Sequence, residues 1–385
     1  MRREFATLGI CAVFAAVILH GHVFGAVAKV VTTVFGGGDE AAALKLYAQD
    51  RRTQEVSNGA DPLPSLQGVV AHWASEKAER RLVVMGNSQT YAVILAPGER
   101  DPGVPVRTYV DLVGSRIGTA GKANVYRLSA PNLSYAEALW YVTYLSRVAA
   151  VKPTDLVLQL NYESFRKSGI RDGMLGLLRD PAFASAATET ARSATPFGAA
   201  FEQAIKRYRE LEAKSGPTGD AKASAPAGFG EMAEVSIRKK MDAVGIGTEK
   251  HAAKAEFLNV LYLLRVHVLK ITPTTPRPLA GAAYEGSVSA LDEVATRCRA
   301  AGITVRLFLA PQNPGARMWR TEADRDRYRG AAQALSSKFG LRLVDLENKV
   351  PAEQWGVWID GPDPIHFGLK GHETMAAAML SSGLF

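Results

Sequence analysis

Short apolar runs, set apart by stretches with helical spacing, limit what this chain can fold into more than any other feature. The first is Arg81-Leu82-Val83-Val84-Met85-Gly86, the second runs from Val125 to Leu128, and the third, Leu-Val-Leu-Gln-Leu, ends at Asn161. Two more lie towards the C-terminus, at Ile303 to Ala310 and Leu341 to Leu346. Such runs, several of them β-branched, fit strands buried on both faces. Helical patterns lie beside them. Tyr284 to Ala301 stops at Gly302, Arg325 to Phe339 stops at Gly340, and Gly368 to Leu380 is the last. Glycine ends a helix well because it tolerates left-handed backbone. After the second strand, Pro131 and Asn132 mark a loop, and Ser134 with Glu137 three residues later makes a capping-box pattern. This alternation predicts an α/β fold in three layers, with a parallel central sheet covered on both faces.

The alternation breaks between the third and fourth strands. Residues 163–280 hold helical stretches around Phe201 to Lys214 and Glu256 to Leu269, separated by a small-residue, proline-containing segment from Ser215 to Gly230. They read as a largely helical insertion, or cap, in a catalytic body spanning 80–385. At the other end, Arg2 and Arg3 precede a carboxylate-free apolar segment, of which Phe5 to Ala28 is long enough to cross a bilayer as one helix. The leading arginines predict a cytoplasmic N-terminus and an exported body. Ala26-Val27-Ala28 resembles a signal-peptide cleavage site, which is the rival reading. Apolar character resumes at Val30-Val31 and Val34-Phe35, and that favours an uncleaved anchor over residues 1–35. Residues 36–79, with a charged helical stretch from Glu40 to Arg52, then form a stalk or packing arm. The expected location is the inner (cytoplasmic) membrane as a single-pass protein, with the body in the periplasm or outside the cell.

Composition closes off several classes. With 47% hydrophobic and 22% charged residues, the chain is not of the disordered kind. Its net charge of +8 suits an acidic surface or polymer nearby, but no recognition helix, zinc-finger spacing or aromatic RNA-reading strand accompanies it, so no nucleic-acid partner is expected. The cysteines, Cys11 and Cys298, lie too far apart in role to suggest a disulfide. The histidines form no HExxH pattern and no Cys/His cluster, so no metal or cofactor is expected.

In a parallel sheet, ligands gather beyond the C-terminal strand ends. Three polar features fall there: Ser88, Asn161, and Asp363 with His366. Each has an ordinary explanation. Ser88 can satisfy a turn or cap a helix, Asn161 can cap a loop, Asp363 can set a turn before Pro364, and His366 can sit on the surface. Together they have the makings of a relay. A tight turn before the last helix lets Asp363 accept the His366 Nδ1 proton, leaving Nε2 to take the proton of Ser88. The carboxylate fixes the tautomer, the imidazole moves the proton, and the serine forms the acyl intermediate.

Gly86-Asn87-Ser88-Gln89-Thr90, Asn161 after its strand, and Asp363-Pro364-Ile365-His366 resemble the motifs of the SGNH/GDSL hydrolase superfamily. With the basic, apolar N-terminus they are similar to its membrane-anchored DltD-like and cell-surface polysaccharide O-acetylation members. The resemblance covers residues 80–162 and 284–385. It implies Ser88 as nucleophile, His366 as general base and then acid, and Asp363 as the orienting residue. Asn161 would turn its NH₂ to the oxyanion beside the Ser88 backbone N–H. It further implies acyl transfer, acetyl in the first instance, onto an extracytoplasmic polysaccharide, with a membrane-bound O-acyltransferase supplying the acyl group. Two departures stand out. Asn87 occupies a position that is usually Asp, and the loop Ser129-Ala130-Pro131-Asn132 lacks the usual glycine donor, leaving the N–H of Ala130 or Asn132 in its place. The same triad serves water and a sugar hydroxyl, which keeps open an exported carbohydrate or lipid esterase or deacetylase, and the two departures keep open an inactive scaffold subunit. Trp319, Trp355 and Trp358 could stack on sugar or pack in the core.

Overall fold

The computed structural model describes residues 62–75, 79–94, 107–118, 123–215, 278–279, 281–316, 320–358 and 361–385. The expected anchor, the Glu40 to Arg52 stretch, the Ser215 to Gly230 loop beyond its first residue and the Glu256 to Leu269 helix lie outside them. Among the described residues no helix is long and apolar enough to cross a membrane.

The strands are β1 (Arg80–Gly86), β2 (Ala123–Ser129), β3 (Asp155–Leu160), β4 (Thr304–Leu309) and β5 (Arg342–Asp345). They form one sheet in the order β2-β1-β3-β4-β5, with every pairing parallel. Gly86 pairs with Ser129, so β1 and β2 end level at the same edge. Because β1 lies between β2 and β3, the loops after those two strands flank the loop after β1.

Alternation within the buried runs sends side chains to two separate cores. Val83, Met85, Leu156, Leu158 and Leu307 face one cluster; Leu82, Val84, Val157 and Phe308 face the other. The first cluster is closed by α3 (Tyr135–Arg147), α5 (Pro181–Ala191), α6 (Pro196–Ser215) and α7 (Gly281–Ala300), once α1 (Pro62–Ser75), α2 (Tyr109–Gly118) and the one-turn α4 (Tyr162–Phe165) are counted before them. Tyr109, Val113, Met375 and Met379 close the second, from α2 and from the last helix, α9 (Leu369–Ser381). Each fully buried Leu, Val or Met contributes about 1.5–3 kcal/mol relative to exposure, which is why these runs fix the sheet's position between layers. The remaining helix, α8 (Glu322–Phe339), starts at Thr321, whose hydroxyl accepts from the Asp324 N–H, and stops at Gly340 in left-handed backbone with φ 65°.

The capping box before α3 is formed in both directions: the Glu137 N–H donates to Ser134 Oγ at 3.1 Å, and the Ser134 N–H donates to the Glu137 carboxylate at 2.9 Å. Within the expected insertion, residues 163–215 are described, and they pack into the core. Phe165, Leu177, Phe183 and Phe201 are completely buried, and Phe183 and Phe201 each meet Trp140 edge-on at 4.8 Å. This stretch builds one face of the core. The packing-arm reading of the residues before β1 applies to α1, which lays Leu66 and Trp73 into the same cluster.

Candidate active site

Ser88 stands two residues past the end of β1, at the start of a short 3₁₀ turn, Ser88–Thr90. Asn87 caps that turn, its Oδ1 accepting from the Gln89 N–H at 3.0 Å. The position is 4% exposed, and a neutral amide performs this accepting role without burying a charge, which accounts for Asn where the related motif has Asp. Gly86 is required for a different reason. A Cβ there would collide with Gln159 Oε1 and Thr90 Cγ2.

His366 and Asp363 lie on β7 (Gly361–Phe367), which pairs antiparallel with β6 (Trp355–Trp358) in a separate two-stranded sheet. The sequence pattern predicts a turn here. The structure has a strand carrying an Asp-centred turn: Asp363 Oδ1 accepts from the N–H groups of Ile365 at 2.7 Å and His366 at 2.9 Å. The other carboxylate oxygen accepts from His366 Nδ1 at 2.9 Å. With that proton on Nδ1, Nε2 is the acceptor for Ser88 Oγ–H at 2.9 Å. Asp363 is almost wholly enclosed, while the His366 side chain is 17% exposed, so the imidazole is reachable from outside and its orienting carboxylate is not.

The relay spans 278 residues of sequence, and side chains that the sequence pattern does not single out hold its halves together. Gln89 Nε2 donates to the carbonyls of Ile365 at 2.8 Å and Pro311 at 3.0 Å. Gln159, on β3, accepts the Asn87 N–H at 2.9 Å through Oε1 and donates to Gln89 Oε1 at 2.6 Å through Nε2. Asn313 Nδ2 donates to the Asp363 carbonyl at 2.8 Å. The backbone adds one more tie, the Ile94 N–H to the Phe367 carbonyl at 2.9 Å. In the sequence, the signal for Gln159 is a polar residue inside the apolar run Leu156 to Leu160.

His372, on α9, is buried and locked. Its Nδ1 accepts from the Tyr109 N–H at 3.1 Å, so its Nε2–H donates to the Ala92 carbonyl at 3.1 Å. Burial pushes its pKa down to about 4. This neutral imidazole fastens the far end of the loop that carries Ser88 to two helices.

Asn161 has a capping task. It caps α4, its Oδ1 accepting from the Ser164 N–H at 3.0 Å and its Nδ2 donating to Ser164 Oγ at 2.9 Å. One Nδ2 proton is left over. Its backbone is gripped by the buried Tyr135 hydroxyl, which accepts the Asn161 N–H at 3.1 Å. In the loop after β2, the Ala130 N–H donates to the Gly86 carbonyl at 3.4 Å, while Asn132 takes left-handed backbone with φ 52°, the one non-glycine among the described residues to do so. Of the three tryptophans, Trp355 is core: it packs on Phe367 and donates Nε1–H to the Val350 carbonyl. Trp319 and the Trp358 side chain lie outside the described parts. Among the described residues no group of His, Cys, Asp and Glu is arranged to hold a metal ion.

The fold and site thus define a parallel α/β sheet carrying a serine–histidine–aspartate relay at its C-terminal edge. No family model matches the chain, and no curated protein does. Solved structures resemble it distantly. One is an alpha/beta hydrolase enzyme, LAE5, from the metagenome of Lake Arreo, with 13% identity over 79% of this chain and 95% of that one, at a TM-score of 0.36. A psychrotrophic esterase, EstA, from Pseudoalteromonas has 9% identity over 79% and 96%, also at 0.36. A catalytic mutant of Axe2, an acetylxylan esterase from Geobacillus stearothermophilus, has 12% identity over 79% and 94%, again at 0.36. Superposition at this level carries nothing about chemistry, which has to come from the geometry of the site itself.

Proposed function

We propose that the protein is a serine acyltransferase of the SGNH kind, which moves an acyl group, acetyl in the first instance, onto an extracytoplasmic polysaccharide through an acyl-serine intermediate. The observation that carries the acyl chemistry is the unbroken chain from Ser88 Oγ through His366 to Asp363, with both links at 2.9 Å. In the first half-reaction His366 Nε2 takes the Ser88 proton as Oγ attacks the acyl carbonyl. The tetrahedral intermediate collapses, the bond to the donor oxygen breaks, and His366 returns its proton to that leaving oxygen. In the second half an acceptor hydroxyl loses its proton to His366 and attacks the acyl-serine, and Ser88 leaves with the proton. Asp363 stays ionised throughout and stabilises the imidazolium.

The oxyanion needs preorganised donors. The Ser88 N–H has no acceptor among the described residues. Of the two donors considered after β2, the Ala130 N–H is already engaged, and the Asn132 N–H has no acceptor among them. Left-handed backbone at Asn132 reproduces the conformation a glycine would adopt there. Asn161 would contribute its remaining Nδ2 proton.

The relay serves water and sugar hydroxyls alike. Transfer is favoured by the N-terminal sequence, where Arg2, Arg3 and the apolar run to Phe35 make an anchor that holds the body outside the inner membrane, beside a membrane-bound O-acyltransferase acting as donor. Intact-mass measurement after exposure to an activated acetyl ester tests the proposal. The wild type gains one acetyl group and Ser88→Ala gains none; equal adduct on both proteins rejects the nucleophile. An adduct that water discharges as fast as glycans do makes the protein an esterase, and a folded chain that never acylates makes it a scaffold.

A further inference from the structure

A cleft of about 660 Å³ opens between the loop after β2, which supplies Asn132, and the segment Arg166 to Asp172 that follows α4. Those loops leave the two strands that flank β1, so the cleft borders the edge where Ser88 stands.

The cleft wall is rich in charge, and nearly all of it is matched. Arg171 donates to the buried Glu137 carboxylate through Nε at 2.5 Å and Nη2 at 2.8 Å. Arg166 donates through Nη1 to Glu163 at 2.7 Å, and Arg207 through Nε to Asp172 at 3.2 Å. Lys167 is the exception. It lines the cleft, is only partly exposed, and its ammonium has no hydrogen bond or ion pair among the described residues. The charges that act on it are Glu163, Arg171, Glu137 and Arg166, which are already paired with one another. Burial is the largest influence on its pKa and lowers it. A half-desolvated cation with no anion of its own is costly unless something brings one.

We propose that this cleft docks the acceptor polymer and that Lys167 receives a carboxylate or phosphate carried by its sugars, so that the acceptor is an anionic glycan. This rests on the acyl-transfer reading and names its substrate class. The matched pairs around Lys167 present polar edges to sugar hydroxyls without adding net charge, and the single surplus cation sets the preference. Neutral polymers are disfavoured because they leave the Lys167 ammonium both unpaired and cut off from water.

The test is a calorimetric titration of the full chain carrying Ser88→Ala, which binds without turnover. The probes are tetragalacturonate, its fully methyl-esterified neutral form, and a glycerol-phosphate tetramer, each at low and high salt. An anionic probe is expected to bind at least about tenfold tighter than the methyl ester, with the margin shrinking in salt. Adding Lys167→Gln removes the margin, and Lys167→Arg restores it, which separates lost charge from lost folding. The arm that binds, carboxylate or phosphate, identifies the anion. Equal affinity for charged and neutral probes, no binding of any probe, or a margin unchanged by Lys167→Gln overturns the proposal. Acetylation of the wild type by an activated ester is scored separately. A chain that acylates but ignores charge keeps the acyl chemistry and loses this site; one that selects anions through Lys167 but never acylates does the reverse.

Discussion

β3 has polar groups at both of its ends, and the two ends use them in opposite ways. At the start, Asp155 is buried and fully answered: Arg80 donates to it at 3.1 and 3.3 Å, Thr154 at 2.7 Å, and Arg306 through Nη1. Burial raises its pKa, but these donors outweigh burial and hold the carboxyl below its usual range. At the far end, beyond Gln159 and Asn161, capacity is left over: the Ser88 N–H and the Asn132 N–H have no acceptor among the described residues. Both ends have dense hydrogen bonding. Only the one facing Ser88 has been left incomplete. A cluster that satisfies itself stabilises the fold, whereas unmatched donors held in rigid surroundings are what a reaction or a ligand can use.

The contrast breaks most visibly through substitutions at each end. In the proposed reaction His366 carries the proton, so with His366→Ala turnover of an activated ester should fall by about a thousandfold or more, measured under saturating substrate on protein shown to be folded by its melting transition. Asp155→Ala should do the opposite. It leaves Arg80 and Arg306 without their common acceptor and should cost about 3 kcal/mol of stability, read from denaturant midpoints. Turnover per folded molecule should stay within about twofold, since no contact of Asp155 reaches the nucleophile loop. If Asp155→Ala instead slows turnover strongly at unchanged stability, the two ends of β3 are not separate in role.

A substitution at Gln159 sharpens the comparison, because this residue lies on the same strand and face as Asp155. Gln159→Leu keeps the side-chain volume but strips the acceptor from the Asn87 N–H and the donor from Gln89 Oε1. Acylation should slow by roughly a hundredfold, as expected when a nucleophile is misplaced by a fraction of its own reach. A structural role alone would lower the melting temperature without changing the acylation rate of the folded fraction.

The sheet was legible because its strands are uninterrupted apolar runs, and parallel burial allows little else; β1, β3 and β4 differ from their expected spans by a residue or two. Ser88 was legible as a polar residue just past the end of an apolar run, and Asp363 with His366 from their three-residue spacing ahead of the last helix, although the segment that carries them is a strand and not the expected turn. What remained hidden depends on long-range contact. α2 reads as Tyr-Val-Asp-Leu-Val-Gly-Ser-Arg-Ile-Gly, a sequence with two glycines and three β-branched residues that helical propensity disfavours. It is helical because Tyr109, Val110 and Val113 bury where the helix packs against β2 and α9. The β6–β7 pair was equally hidden, since Trp-Gly-Val-Trp gives no turn signal and Gly356 is fixed by close approach to Ile94. Asn161 illustrates the limit differently. Its sequence position suits an oxyanion donor and a helix cap equally, and only Ser164 at hydrogen-bond distance reveals the cap.

The smallest expected effect concerns pH, and it distinguishes His372 from Asp155, both buried. His372 has its pKa pushed down to about 4 by burial, against an ordinary value of 6.5. Above 6.5 both folded and unfolded chains leave it neutral, so it contributes no pH dependence. Between 6.5 and 4 the unfolded chain binds a proton that the folded chain refuses, and stability therefore falls as pH falls. From pH 6.5 to pH 5 the loss should be about 2 kcal/mol. Asp155, with its folded pKa lowered, keeps its contribution above the ordinary carboxylate range and loses it only as pH drops below that range. Acid unfolding should thus have two legs, and His372→Gln should erase the upper one while leaving the lower. Denaturant titrations of both proteins at half-unit intervals from pH 7 to pH 3 give the difference curve. If that difference is flat between 6.5 and 5, His372 takes up its proton in the folded state and is not the locked neutral link between the Ala92 carbonyl and the Tyr109 N–H that the geometry describes.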